Sequence, residues 1–349
     1  MPPGNFSPAA PATMPALLVP LIFHVMLYLD NDGTTIGPWQ YDQAPVFIDR
    51  MVRQLNMMSK PSNIQFFVNE IRNNATKYPN LLLPSRTPWL NMPFCDGMGC
   101  LSDHDTVSSL VYDWPRSINI FITADLTSKI FGYAHVPSSD INPESGHVFL
   151  TWDSVSPGSG YNSDLFYNYG ALILLHEIFH HLGLVHTFGA SQSFTCDDDD
   201  YVVDTPASFG PLYYSSFYST AARYCLEVFW TKYGGNWDRV YEALSTRLEV
   251  PATDMNAWAD SCPGNPGYDE LGNYMTYNTE VCFAALGHLT PGQAQRAHYI
   301  TSELNPILYA WGQYYAATAA PPPLREVSAL SAVGAGATDI CKVTASNCP

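Results

Sequence analysis

The chain has 349 residues, of which 46% are apolar and only 13% charged. That balance supplies a sizeable core and excludes a long solvated disordered region. A net charge of −17, with no block of Lys and Arg, argues against binding to nucleic acid or to an anionic membrane surface.

Residues 1–15, rich in Pro and Ala, read as a loose N-terminal arm. The apolar run from Leu17 to Leu29 is interrupted by Pro20 and His24 and is shorter than the ~20 residues of a membrane span. No Lys or Arg precedes it, so it lacks the charged start of a signal peptide and reads as a buried strand ending at the Asn31-Asp32-Gly33 turn. A secreted chain of this kind is expected to lack its signal and any pro-segment. Val46, Met51, Leu55 and Met58 recur at helical spacing, and residues 63–68, 118–123 and 147–152 are short β-rich stretches. Leu172, Leu175, Phe179 and Leu182 form the stripe of a second helix. Strands with two helices make this half α+β or α/β.

Beyond Phe188 the pattern is irregular, with helical spacing again over about 220–248. Thr290-Pro291 opens a last helix, which runs to about Tyr314 with a disturbance at Asn305-Pro306. From Ala316 the chain reads as an Ala/Pro-rich linker and a small tail. The eight cysteines form no CxxC pair, which excludes a zinc ribbon or a thioredoxin-like site. Their even number points to disulfides and an oxidising compartment, with scattered buried thiols as the alternative.

The chemistry is concentrated in residues 176–186, His-Glu-Ile-Phe-His-His-Leu-Gly-Leu-Val-His. His176 and His180 lie one helical turn apart and face one ion. Gly183 can adopt the left-handed conformation that stops a helix, so the chain can return His186 to the same metal. Three neutral imidazoles leave the fourth zinc position for water, and Glu177 is placed to take a proton from that water as it attacks a peptide carbonyl. Five fixed positions in this order arise by chance in about one such chain in 10⁴ to 10⁵. His181 projects away from the ligand face and is expected to be solvated. The remaining histidines have no comparable spacing.

The eleven-residue signature resembles that of the metzincin proteases. Asp200-Tyr201-Val202-Val203-Asp204-Thr205-Pro206, Asn273-Tyr274-Met275-Thr276-Tyr277 and Leu289-Thr290-Pro291-Gly292-Gln293 resemble, respectively, an acidic segment, the Met-turn and the start of the last helix in pappalysin-type (cytophagalysin) metalloproteases. Ile22-Phe23-His24-Val25 and Gly132-Tyr133-Ala134 resemble strands of that family, and the likeness extends over about residues 17–312. It implies an α+β metzincin-like zincin, with an upper twisted mixed sheet carrying two long helices and a lower irregular subdomain with a C-terminal helix. The catalytic domain would span 16–314, divided at 186/187, with an inserted segment at about 207–255 and a disulfide-looped tail at 315–349.

By the same resemblance Met275 supports the zinc site from beneath, and Tyr277 approaches the metal or the developing oxyanion, unless it is only a packing residue. Asp200, Asp204 and Thr205 would bind a structural Ca²⁺, the alternative being an exposed acidic loop that includes Asp197, Asp198 and Asp199. Family pairing joins Cys196 to Cys262 and Cys225 to Cys282, and leaves Cys95–Cys100 and Cys341–Cys348 as local loops. The inserted segment either covers part of the cleft or packs outside it. The segment after the Met-turn, Asn278 to Val281, lines the pocket for the residue following the cut in metzincins, and here it is neither plainly acidic nor plainly apolar. The expected function is that of a secreted, monomeric zinc metalloendopeptidase acting on protein or peptide substrates, with no nucleic-acid partner and no membrane insertion. The rivals are a non-catalytic recognition protein on the same scaffold, which the intact Glu177 disfavours, and a cell-wall amidase.

Overall fold

A computed structural model describes residue 2 and residues 6–124, 130–137, 141–156, 163–189, 195–197, 199–244 and 258–318. Asp198, the part of the inserted segment from 245 to 257, and the tail with Cys341 and Cys348 lie outside the described residues.

The uninterrupted apolar run near the N-terminus forms strand β1 (Leu17–Val25), in which eight of nine residues are buried. A strand apolar on both faces belongs in the middle of a sheet. β1 indeed lies between two parallel neighbours, β4 (Ile64–Arg72) and β6 (Ile118–Thr123). β8 (His147–Thr151) continues the parallel series, and β7 (Gly132–Ala134) closes the edge antiparallel, giving the order β4-β1-β6-β8-β7. A small second sheet joins β2 (Leu27–Leu29), β3 (Ile36–Gly37) and β5 (Leu82–Leu83).

Helices α1 (Ala44–Ser59) and α5 (Ser163–His181) are the two long helices of this half and pack against each other. Between them come three short helices, α2 (Arg86–Asn91), α3 (His104–Leu110) and α4 (Trp152–Val155). After α5 the chain has few regular elements until α6 (Tyr218–Tyr233) and α7 (Trp237–Leu244), followed by α8 (Glu280–Leu286). α9 (Pro291–Leu304) starts at a capping box, with the Thr290 side chain accepting from the Gln293 amide and the Gln293 side chain accepting in return. The expected disturbance is a full break. α9 ends at Leu304, Asn305 turns out of helical geometry, and Pro306 starts α10 (Pro306–Thr318), which packs along β1.

Three disulfides join Cys95 to Cys100, Cys196 to Cys262 and Cys225 to Cys282. The second and third close stretches of 66 and 57 residues and tie together the half with little regular structure. Loops of that length restrict the unfolded chain by about 4 kcal/mol each in the chain-entropy account. Cys225 anchors α6, in the inserted segment, to α8.

Two histidine side chains are buried in the sheet itself. His24 on β1 is fully buried against Phe121, with Nε2 2.8 Å from Asn119 Oδ1, and His147 on β8 has Nε2 3.1 Å from the Tyr133 hydroxyl. Burial pushes His24 down to about 4 and His147 down to about 3, from an ordinary value of 6.5. Below pH 6.5 the unfolded chain takes up protons that the folded chain refuses, so stability present above that pH is lost as pH falls. Each histidine should contribute a slope of about 1.4 kcal/mol per pH unit between pH 6.5 and its folded value. Urea unfolding at pH 7.5, 6 and 5 should therefore show a shallower decline for His24→Gln than for the unmodified chain. Parallel declines would refute the assignment.

Candidate metal centre

Helix α5 brings the first two metal candidates together because 3.6-residue periodicity stacks His176 above His180. Each residue from Gly170 to Leu184 is buried, so this part of the helix has no solvent face. That corrects the expectation for His181, which is only 5% exposed. The wheel argument assumed a solvent face, but α5 is packed against α1, α4, β7 and β8.

Gly183 stops the helix with φ +103°. Its amide donates to His180 O and the Leu184 amide to Phe179 O, both at 2.9 Å, the paired bonds of a Schellman motif. The chain then turns back, and His186 reaches the other two imidazoles. The three Nε2 atoms lie 3.0, 3.1 and 3.2 Å from one another. A tetrahedral zinc with bonds of ~2.0–2.1 Å would separate its nitrogen ligands by about 3.3 Å, so the triangle is close to the size zinc requires.

The hydrogen positions favour a cation in that triangle. His176 Nδ1–H donates to Tyr274 O at 2.6 Å and His180 Nδ1–H to Leu184 O at 2.8 Å, so their Nε2 atoms present lone pairs. At most one hydrogen, on His186, can sit among the three nitrogens. Burial pushes His180 down to about 4, while burial with repulsion from neighbouring rings pushes His176 down to about 3 and His186 well below its usual value, so all three are neutral and ready to ligate. Among the described residues, this is the one group of three or more His, Cys, Asp or Glu ligand atoms close enough to hold an ion. The triad thus fits zinc by donor type, number and spacing.

Met275 is fully buried. Its carbonyl accepts from the Thr187 amide at 3.1 Å, next to His186, while the preceding carbonyl, Tyr274 O, holds His176. Tyr277 stacks around the triad, with ring centroids 4.6 Å from His186 and 5.6 Å from His176.

Glu177 faces the same cavity as the histidines and receives the Ala134 amide from edge strand β7. Burial pushes its carboxyl up to about 8, a shift that a divalent cation at the triad would oppose. The cavity has a volume of about 490 Å³. Beside the triad its walls are Tyr169, Leu172 and Ile173 from α5, Phe283 from α8, Thr276 from the Met-turn and Asn278 just after it. Glu177 is the one acidic residue among its described lining, which contains no Lys or Arg and no residue of the inserted segment.

The acidic segment is occupied differently from the calcium expectation. Asp200 accepts from the Val202 amide and the Thr205 hydroxyl. Asp204 accepts from the Thr290 hydroxyl at 2.6 Å and the Gly292 amide at 2.8 Å, which places its charge at the N-terminus of α9. No group of three acidic ligand atoms gathers here among the described residues.

Sequence reasoning overlooked Phe283, Tyr169 and the β7 amide. Phe283 and Tyr169 carry no motif, and their ring contact, 6.3 Å between centroids, joins residues far apart in the chain.

No model of a known protein family matches the chain. An extracellular metalloprotease of Arthroderma benhamiae is 29% identical over 181 residues, covering 52% of this chain and 49% of its own length. One from Verticillium alfalfae is 29% identical over 189 residues, covering 52% and 48%. The chain thus spans about half the length of the curated relatives it matches. Among solved structures, Tannerella forsythia mature mirolysin in complex with a cleaved peptide superposes with a TM-score of 0.50 at 16% identity, over 88% of this chain and 99% of that one. The chain has the α+β, metzincin-like zincin fold, with an upper mixed sheet and a lower irregular part.

A Cβ on Gly183 would lie 2.2 Å from Ile300 Cγ2 as well as in left-handed backbone. Gly183→Ala should therefore cost roughly 2–4 kcal/mol in urea unfolding and displace His186 from the triad. Unchanged stability and zinc content in that variant would refute this role for the turn.

Proposed function

We propose that the chain is a zinc-dependent endopeptidase that acts outside the cell, with His176, His180 and His186 as metal ligands and Glu177 as general base. The observation that carries this reading is the triangle of three buried Nε2 atoms opening into one cavity with Glu177. The metalloprotease names of the sequence relatives support it, as do the mirolysin-like fold and the three disulfides, which suit an oxidising compartment. Among the described residues no helix is long and apolar enough to cross a membrane.

Zinc bound at the triad would supply Lewis acidity, polarising a peptide carbonyl and acidifying a water molecule near neutral pH. Glu177 takes the proton of the attacking water and returns it to the leaving amine. The Ala134 amide aims the carboxylate, and β7 leaves it little room, because a Cβ on Gly132 would lie 2.9 Å from Glu177 Cγ. Tyr277, which lines the cavity beside the triad, would donate a hydrogen bond to the carbonyl oxygen as negative charge develops there. Met275 provides soft apolar support beneath the ligands.

The uncharged aromatic cavity favours a large apolar side chain next to the cut bond. A buried Lys or Arg there would meet, among the described lining residues, no carboxylate except the base itself, and an unpaired charge is costly to bury.

Glu177→Gln should keep the fold and the zinc while lowering the rate of peptide hydrolysis by ~10²–10⁴. A fluorogenic peptide assay with zinc analysis on the same sample decides this. Near-normal turnover by the zinc-loaded variant would rule out the base assignment.

A further inference from the structure

Below the Met-turn lies a buried polar cluster that the proposed chemistry does not use. The side chains of Glu270 and His288 are each 1% exposed, with His288 Nε2 2.7 Å from Glu270 Oε2. The other ring nitrogen, Nδ1, lies 2.7 Å from Leu286 O. Leu286 O can only accept, so Nδ1 donates to it, and the ring is held at both nitrogens between main chain and carboxyl group. Polar groups this buried are costly without partners, and removing one member leaves the other without its hydrogen bond.

The pair is wired to the loop that holds the histidine triad. Glu270 Oε2 also accepts from Asn273 Nδ2 at 2.8 Å, and Asn273 Oδ1 accepts from the Met275 amide at 2.9 Å. Gln293, at the start of α9, exchanges two hydrogen bonds with the Asn273 side chain. The His288 main chain grips the same loop from the other side, its carbonyl accepting from the Tyr274 amide and its amide donating to Gly272 O. Two residues so clamped, Tyr274 and Met275, offer the consecutive carbonyls that receive His176 Nδ1–H and the Thr187 amide. A shift of this loop would therefore move two of the three metal ligands together.

We propose that Glu270 and His288 are positioning residues of the metal centre, a buried hydrogen-bonded pair that fixes the Met-turn in the register that holds His176 and His186 for zinc. This rests on the zinc reading above. Partners one bond removed from metal ligands typically change metal affinity 10- to 100-fold, and this cluster acts on two ligands at once.

The test is the zinc dissociation constant of the full chain, measured by chelator competition, beside urea unfolding with and without zinc. Glu270→Ala should weaken zinc binding 10- to 100-fold and lose more stability with zinc bound than without it. Glu270→Gln keeps the shape and the Asn273 contact, so it should recover part of that affinity. If Glu270→Ala does not fold, His288→Gln and Glu270→Gln carry the same measurement, and each should weaken zinc binding. Zinc affinity equal to that of the unmodified chain, with the same stability loss in both states, would make the pair a scaffold element only and overturn the proposal. No zinc uptake by the unmodified chain would overturn this proposal and the zinc reading together.

Discussion

Two neighbouring carbonyls, Tyr274 O and Met275 O, are the fixed point of the molecule. The first takes the Nδ1 hydrogen of His176, and the second takes the amide that follows His186. The His176 ring, and the main chain next to His186, are thereby held by main chain from the lower half. A helix alone could stack His176 over His180, but it could not fix the rotation of either ring. Rotation is fixed by what each Nδ1–H meets, and both acceptors are backbone carbonyls in buried surroundings.

The remainder of the lower half serves that loop. α9 is fastened at its first turn by the Thr290–Gln293 box, and Gln293 reaches from there to Asn273 inside the Met-turn. Asp204 adds its carboxylate to the same helix end, which gives the acidic segment a structural use. With few regular elements between α5 and α6, order depends on the disulfides. Cys225–Cys282 joins α6 to α8, and α8 presents Phe283 to the cavity.

How much of this the sequence disclosed depended on the range of the interaction concerned. The histidine spacing, the Gly183 stop and the Asn305-Pro306 interruption are local, and local rules located each of them. β1, β6 and β8 were legible because strands buried on both faces are continuous apolar runs. β7 has only three residues and no such run, although its Ala134 amide touches Glu177. His181 was misplaced because a wheel cannot show that a helix is covered on all sides. Glu270 and His288 lie 18 residues apart and look unremarkable in sequence, since nothing local indicates that they meet. In the acidic segment, which suggested metal by composition, the carboxylates of Asp200 and Asp204 accept from amides and hydroxyls.

Because the account depends on three neutral imidazoles meeting at one buried point, the zinc environment itself is the most direct check. Zinc-edge X-ray absorption on the purified chain, with metal content measured on the same sample, should show one zinc per chain. Its nearest shell should contain three imidazole nitrogens at about 2.0–2.1 Å and no sulfur. Absence of bound zinc, or a shell built on sulfur or on fewer than three imidazoles, would contradict it.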